Sequence, residues 1–231
     1  MRLDYFLANG TGLSRKDAKR EISAGRVTVD GEPCRRANEH LRAEHQVQWR
    51  GQPVALPGER YLMLNKPAGV VSATEDRDHQ TVLSLLPPEL RPGLHPVGRL
   101  DLDTTGLLLL TTDGQWSHRI TSPRSGCAKT YRVQLAEPLA PEALLQLEAG
   151  VLLRDEARPT APATVQVWSE SVIDLVITEG RYHQVKRMLA AVGNHVATLH
   201  RVRIGDIELD PALGPGQWRQ LTAAEQASIG S

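Results

Sequence analysis

The first fifty residues alternate apolar and charged positions in a way that predicts two short helices. Ser14 and Asp17 have the three-residue spacing of a capping box at the start of the second helix, and Gly25 follows its end. The inward-facing residues are Leu3, Phe6 and Leu7 in the first helix, and Ala18 and Ile22 in the second. This stripe leaves the basic residues of the second helix facing outward.

A small hairpin unit is predicted to follow the helices. Asp30-Gly31 is a turn dipeptide, and the strands on either side of it alternate, with Val27 and Val29 first and Val47 and Trp49 later. A turn at Gly51-Gln52-Pro53 and a linker at Leu56-Pro57-Gly58 close the unit. The pattern predicts a first domain over residues 1–58 and a second over 59–231.

From Tyr61 onward the chain is rich in strands. The predicted strands are Tyr61–Leu64, Leu107–Thr112, Lys129–Leu135, Thr164–Trp168, Val172–Thr178, Val196–Val202 and Ile207–Leu209. Helices are fewer, and they are predicted over Pro141–Ala149, over Gln184–Val192 and after the Thr222/Glu225 capping box. Because strands and helices do not alternate regularly, the fold class is α+β with a mainly antiparallel, mixed sheet.

Composition and charge favour an ordinary globular protein. The 231 residues carry 27 basic and 27 acidic side chains, so only local clusters indicate a polyanionic partner. Two windows qualify, since 13–26 holds five basic residues against two acidic ones and 179–203 holds five against one. Cys34 and Cys127 are far apart and predict neither a disulfide framework nor a zinc site. No apolar run is long enough for a signal peptide or a membrane span, so we expect a cytoplasmic protein.

The segment 98–107 is the strongest candidate for chemistry. It places Arg99, Asp101 and Asp103 between glycines at the entry to the strongly apolar run 107–110. Such a sequence predicts a tight loop at the end of a buried strand, and loops of this kind often carry functional residues.

The N-terminal unit resembles the small RNA-binding domain named after the fourth protein of the small ribosomal subunit. The resemblance rests on a helix, a basic helix and a hairpin within about fifty residues. It implies that the basic helix contacts RNA phosphates, which require charge more than exacting geometry. The residues implied are Arg15, Lys16, Lys19, Arg20 and Arg26.

Four segments together resemble the RNA pseudouridine synthases, and the resemblance extends over essentially the whole chain to 203–205 and 218–222. These segments are Leu64–Ser72, the Asp101 loop, Lys129–Tyr131 and Glu179–Met188. Within the family, segments 116–124 and 180–188 are most similar to enzymes of small-subunit ribosomal RNA. The resemblance implies isomerisation of one uridine in that RNA without a cofactor or metal. The RNA could be naked or partly assembled with ribosomal proteins, and we expect a monomer.

The resemblance also implies roles for single residues. Asp101, directly after Arg99-Leu100, is the nucleophile, with Asp103 as the competing carboxylate. Tyr131 lies against the target base, although the residue type alone would also fit a plain core position. For the basic partner of Asp101, helical spacing and the family motif both select Lys186. Lys186 lies at the flank of the inward apolar stripe of this helix, whereas Arg187 lies nearly opposite that stripe. The further substrate contacts are Arg99, Arg181, His183 and Gln184, and Lys66 is grouped with them as the residue that positions the loop facing the RNA.

Three alternatives remain open from the residues. The same chemistry could act on large-subunit ribosomal RNA, or the chain could bind RNA without catalysis. A glycoside hydrolase using Asp101 and Asp103 is disfavoured, because two carboxylates on one short loop would not flank a sugar from opposite faces.

Overall fold

A computed structural model describes residues 1–42, 44–56 and 58–229. The chain divides into two compact units, Met1–Glu59 and Arg60–Ser231. Within the predicted linker, Pro57 lies outside the described residues. None of the described helices is long and apolar enough to cross a membrane.

The first unit has two helices and a small antiparallel sheet. The helices are α1 (Leu3–Thr11) and α2 (Arg15–Ser23), and the strands are β1 (Val27–Val29), β2 (Glu32–Pro33), β3 (Val47–Trp49) and β4 (Gln52–Val54), in the order β2-β1-β3-β4. The Ser14 side chain accepts a hydrogen bond from the Asp17 amide, as the capping pattern predicts. The predicted turn at 51–53 is wrong by two residues, because Arg50 and Gly51 make the turn and Gln52 already pairs with Trp49.

A large sheet organises the second unit. Its strands are β5 (Tyr61–Lys66), β6 (His95–Val97), β7 (Thr105–Thr111), β8 (Lys129–Leu135), β9 (Thr164–Ser169), β10 (Val172–Ile177), β11 (Val196–Ile204), β12 (Ile207–Glu208) and β13 (Trp218–Gln220). The main order is β13-β5-β7-β11-β8-β10-β9, with β6 beside β7 and β12 beside β11. Among the described pairings of this sheet, only β7 with β11 is parallel. The predicted α+β class with a mainly antiparallel sheet is confirmed.

The α-helices in the described part of this unit are α3 (Gly114–Thr121), α4 (Pro141–Ala149), α5 (Gln184–Ala191) and α6 (Ala223–Ser228). The sequence analysis missed α3, whose start is marked by Asp113, which accepts hydrogen bonds from the amides of Gln115 and Trp116. It also missed the short strands β2, β4, β6 and β13. Three of these strands contain a proline, Pro33, Pro53 or Pro96, which argues against a strand when the sequence is read alone.

Strand β7 is buried on both faces, which explains its unbroken apolar run. Leu108 and Leu110 belong to one core cluster, whereas Leu107 and Leu109 belong to another on the opposite face. The strand is therefore fixed on both sides, and the Asp101 loop leads directly into it.

Gly106 lets β7 and β11 approach closely. Its φ is +102°, and a Cβ here would lie 2.4 Å from the main-chain oxygen of Arg201. We expect Gly106→Ala to lower the free energy of unfolding by about 3 kcal/mol or more, through strain and overlap with the neighbouring backbone. Urea unfolding of the full chain measures this effect.

Gly126→Ala is the matched control for this prediction. Gly126 also has a positive φ, of 60°, but nothing lies within 4 Å of its Cβ position. We expect it to cost only about 1–2 kcal/mol, the strain of the left-handed backbone alone. Equal losses in the two variants would contradict the close-approach argument.

Candidate active site

A cavity of about 710 Å³ lies within the second unit, at the loop before β7. The 97–102 segment, the 120–123 segment after α3 and the 177–186 segment leading into α5 line it. Lys129 and Tyr131 from β8 and Arg201 from β11 also contribute. Most of the residues predicted from three distant parts of the sequence are thereby brought to one place.

Asp101 lies between two basic side chains in this cavity. Its Oδ2 is 3.3 Å from Lys186 Nζ, and its Oδ1 is 3.3 Å from His183 Nε2. The Asp101 side chain keeps about 30% of its surface exposed, so a ligand can reach the carboxylate. The structure places Lys186 beside Asp101, as helical spacing predicts, whereas Arg187 turns away and pairs with Glu156 at 2.7 Å.

Lys186 also binds the competing carboxylate. Asp103 accepts two hydrogen bonds from Lys186 Nζ, at 2.7 and 2.9 Å, although the Asp103 side chain is 72% exposed. These bonds lower the pKa of Asp103. Burial alone would lower the pKa of Lys186, but the bond to Asp103 and the charge of Asp101 raise it overall. Lys186 therefore stays an ammonium that bridges both carboxylates.

Lys66 supports the Asp101 loop from below. Its side chain is fully buried, and its Nζ donates to the carbonyl oxygens of Pro67, Asp101, Leu102 and Thr104. Burial lowers the pKa of Lys66 to about 8, against the opposing charges of Asp103 and Asp101. The placement agrees with the expectation that Lys66 positions this loop, and it corrects only the expectation of a direct substrate contact, because no surface of this side chain is open to a ligand.

Arg181 and Gln184 are engaged within the protein. Arg181 donates to Glu179 Oε2 at 2.9 Å and to Glu156 Oε2 at 2.6 Å, and its remaining donors reach the carbonyls of 158 and 159. The buried Gln184 amide accepts from the Arg181 main chain and donates to Glu179. Both line the cavity, but their polar atoms shape the loop before α5 instead of remaining free for substrate.

Arg99 and His183 occupy the cavity in more open positions. Arg99 is exposed and has no ion-pair or hydrogen-bond partner in the described part of the chain. His183 has a φ of 47° and stacks on the ring of Tyr182 at 3.8 Å, and Tyr182 is itself 76% exposed. Both can meet a ligand that enters from solvent.

Tyr131 is half buried and packs against two core clusters. Arg201, which the sequence analysis missed, lies against it: the Arg201 Cζ is 5.9 Å from the ring centroid, and Nη1 donates to Tyr131 Oη at 3.4 Å. No local motif distinguished Arg201 from an ordinary residue of an alternating strand. Only the pairing of β11 with β8, which sets it opposite Tyr131, gives it this place.

The basic residues predicted to bind RNA lie on the first unit and are largely exposed. Ion pairs hold four of them: Arg15 and Lys19 with Asp4 at 3.2 and 3.9 Å, Arg20 with Asp17 at 2.8 Å and Arg26 with Glu21 at 2.6 Å. Lys16 is exposed and has no such partner among the described residues. The surface offers charge to phosphates, although part of that charge is already compensated.

No cluster of three or more His, Cys, Asp or Glu side chains suited to a metal ion occurs among the described residues. The groups that the cavity offers to a ligand include carboxylates, cations and the Tyr131 ring.

Comparison with known proteins identifies the class to which this fold and site belong. Residues 60–191 match the model of the RNA pseudouridylate synthase family, and residues 1–47 match the S4 domain. The chain belongs to the RNA pseudouridylate synthase family.

Two relatives and one solved structure show how similar the chain is to particular proteins. The chain is 55% identical over 230 residues to ribosomal small subunit pseudouridine synthase A of Escherichia coli (strain K12), covering 99% of this chain and 100% of the relative. The protein of the same name from Vibrio cholerae is 50% identical, over 99% of each chain. A solved structure described as a pseudouridylate synthase is 42% identical, with a TM-score of 0.74 and full coverage of both chains.

Proposed function

We propose that this protein isomerises one uridine of small-subunit ribosomal RNA to pseudouridine, with Asp101 as the nucleophile. The observation that carries the proposal is the Asp101 carboxylate in the cavity, held at 3.3 Å by both Lys186 and His183. The names of the full-length relatives support the choice of RNA.

The reaction needs few groups, because nothing is added to the uridine. The bond between ribose C1′ and base N1 breaks, the base turns, and C5 joins C1′ in its place. The proton lost from C5 is balanced by the proton gained at N1. A carboxylate beside the sugar suits the first step, as in enzymes that form a covalent glycosyl intermediate. The Lys186 ammonium, 3.3 Å from Asp101 Oδ2, holds the carboxylate in place for that role.

The target base has to leave the RNA stack to reach Asp101. Flipped bases are held by aromatic and apolar side chains, and Tyr131 offers such a surface within the cavity. We propose that Arg99 and His183, the open basic residues, contact the target nucleotide. Arg15, Lys16, Lys19, Arg20 and Arg26 of the first unit would contact RNA phosphates elsewhere.

The setting of the reaction belongs to the same proposal. We place the protein in the cytoplasm as a monomer, acting on ribosomal RNA that is naked or partly assembled with ribosomal proteins. No cofactor is required by this chemistry.

Release of tritium tests the proposed function directly. The protein is incubated with small-subunit or large-subunit ribosomal RNA labelled at uridine C5, each alone and bound to its ribosomal proteins. We expect tritium release from small-subunit RNA and none from large-subunit RNA. Sequencing of the modified positions should show one uridine. Release only from large-subunit RNA would move the target, and no release from any substrate would favour a protein that binds RNA without catalysis.

Lys186→Met should lower kcat by about 10²-fold, on the scale of other groups that stabilise charge in an active site. The reason is that Asp101 and Asp103 would then face each other without their shared cation. Lys186→Arg should recover part of the rate, because it keeps the charge but not the shape of the ammonium. Arg187→Lys is the control, because Arg187 pairs with Glu156 instead of Asp101 and a lysine can keep that ion pair. A Lys186→Met protein of full activity would contradict this role.

A further inference from the structure

Arg201 is a buried cation in the wall of the cavity, and the described part of the chain gives it no acidic partner. Arg201 is only 3% exposed, and it lines the same cavity as Asp101 and Tyr131. By contrast, Lys186 in the same cavity binds two carboxylates. An arginine cannot escape by losing its proton, so its charge is permanent.

The hydrogen bonds of Arg201 fix its plane but leave one nitrogen unsatisfied. Nε donates to the Leu107 carbonyl at 2.8 Å, and Nη1 donates to Tyr131 Oη at 3.4 Å. Nη2 is buried and has no hydrogen-bond partner. A buried, charged N–H group without a partner costs free energy that a ligand acceptor could return.

Two lysines, Lys66 and Lys129, add positive charge to the surroundings of Arg201. Besides burial, the charge of Arg201 lowers the pKa values of Lys66 and Lys129. Lys129 is held by the carbonyls of Ile120 and Cys127, at 3.0 and 2.6 Å, and carries no carboxylate partner among the described residues. The inner wall of the cavity therefore has a cationic surplus, while the carboxylates lie at the loop.

We infer that the uncompensated charge of Arg201 stabilises the uracil anion formed when the base leaves the ribose. This inference rests on the proposed function. When the C1′–N1 bond breaks, its electron pair stays with the base, which then carries one negative charge over N1 and its carbonyl oxygens. The new C5–C1′ bond uses an electron pair of the base, and the C5 proton is replaced by one at N1. A fixed cation in a low-dielectric wall is most effective during this interval.

Arg201 also determines how Tyr131 presents its hydroxyl group. A guanidinium can only donate, so the Tyr131 oxygen accepts this bond and its own proton is left for another acceptor. The hydrogen bond and the cation over the ring hold Tyr131 beside the base site. The base is thus expected to meet a tyrosine O–H donor backed by a positive charge.

Arg201→Met tests the inference with the RNA that the wild-type protein modifies. We expect kcat to fall by about 30-fold to 100-fold, with KM and RNA affinity within about threefold, because the charge acts on the separated base and not on the bound RNA. Arg201→Lys should recover part of kcat. Arg203→Met is the matched control on the same strand: its side chain is 42% exposed and pairs with Asp206 and Glu208 outside the cavity.

A second substrate separates charge stabilisation from a merely structural effect. Fluorine at C5 stabilises the detached base as an anion, so a 5-fluorouridine target depends less on Arg201. The single-turnover rate of 5-fluorouridine consumption is measured by chromatography of nuclease digests. The Arg201→Met substitution should lower this rate by a smaller factor than it lowers the rate with uridine. Partial unfolding of the variant would lower both rates equally.

Several results would overturn the inference. An Arg201→Met protein with wild-type kcat would do so, as would equal losses on the two substrates. A rise in KM with a weaker salt dependence of RNA binding would instead identify Arg201 as a phosphate contact. If the wild-type protein releases no tritium from any ribosomal RNA, the proposed function fails first, and that outcome is distinct from all of these.

Discussion

Asp101→Asn should abolish measurable isomerisation, with a loss of at least about 10⁴-fold in kcat, on the scale seen when a nucleophile is removed. Asparagine keeps the size of the side chain and can still meet Lys186 and His183, so the cavity should stay formed. What it lacks is the charge that attacks or stabilises the sugar. Tritium release from ribosomal RNA under single-turnover conditions is the measurement.

Asp103→Asn distinguishes the two carboxylates of the loop. Asp103 takes the shorter contacts to Lys186 but is 72% exposed, so we assign it to holding the ammonium and expect a loss of about tenfold. Asp206→Asn, an exposed residue outside the cavity, should have wild-type activity. If Asp103→Asn were inactive and Asp101→Asn active, the roles would have to be exchanged.

Lys66→Met should lower kcat by about 10²-fold to 10³-fold without contact between residue 66 and the RNA. The variant leaves the carbonyls of Asp101 and Thr104 without their common donor, so the Asp101 carboxylate would no longer be held in place. Arg60→Met is the matched control, because Arg60 also binds main-chain carbonyls, those of Glu89, Leu90 and Pro92, but away from the cavity. Equal effects of the two variants on kcat would contradict a specific role for Lys66.

The pKa of Lys66 is lowered to about 8, so activity and stability should change in opposite directions as the pH rises above this value. As pH rises through about 8, the folded protein loses a donor at Lys66, and kcat should fall. Between pH 8 and the ordinary lysine value of 10.5 the unfolded chain binds more protons than the folded one, so this group increases stability as pH rises. Urea unfolding at pH 7.5 and 9.5 should therefore show a gain for wild type that Lys66→Met lacks. A parallel loss of activity and stability would contradict this assignment.

The sequence could predict the parts of the fold that local patterns determine. The alternation in 129–135 and the apolar run in 107–110 gave their strands correctly, and the capping residues Ser14 and Thr222 gave helix starts. Helix α3 was missed because Trp116 and Ile120 are its only large apolar residues, whereas α5, of the same length, carries Val185, Met188 and Leu189.

The candidate site was predictable only where the residues form motifs. Asp101 and Lys186 were found from loop composition, helical spacing and family resemblance, and the structure brings them within 3.3 Å. The surroundings of Lys66 and Arg201 could not be found this way. Lys66 contacts carbonyls 35 to 38 residues away and Arg201 a carbonyl 94 residues away, so their environments depend on the pairing of distant strands.

Because Lys66 binds the loop through main-chain oxygens, the side chains of the loop could vary in related sequences. Carbonyl groups are common to every amino acid, so the loop's conformation does not depend on the identity of the side chains at positions such as Leu102, which is 41% exposed. Evolution, or a library randomised at that position, could therefore vary the outer surface of the loop while the Asp101 carboxylate stays where it is.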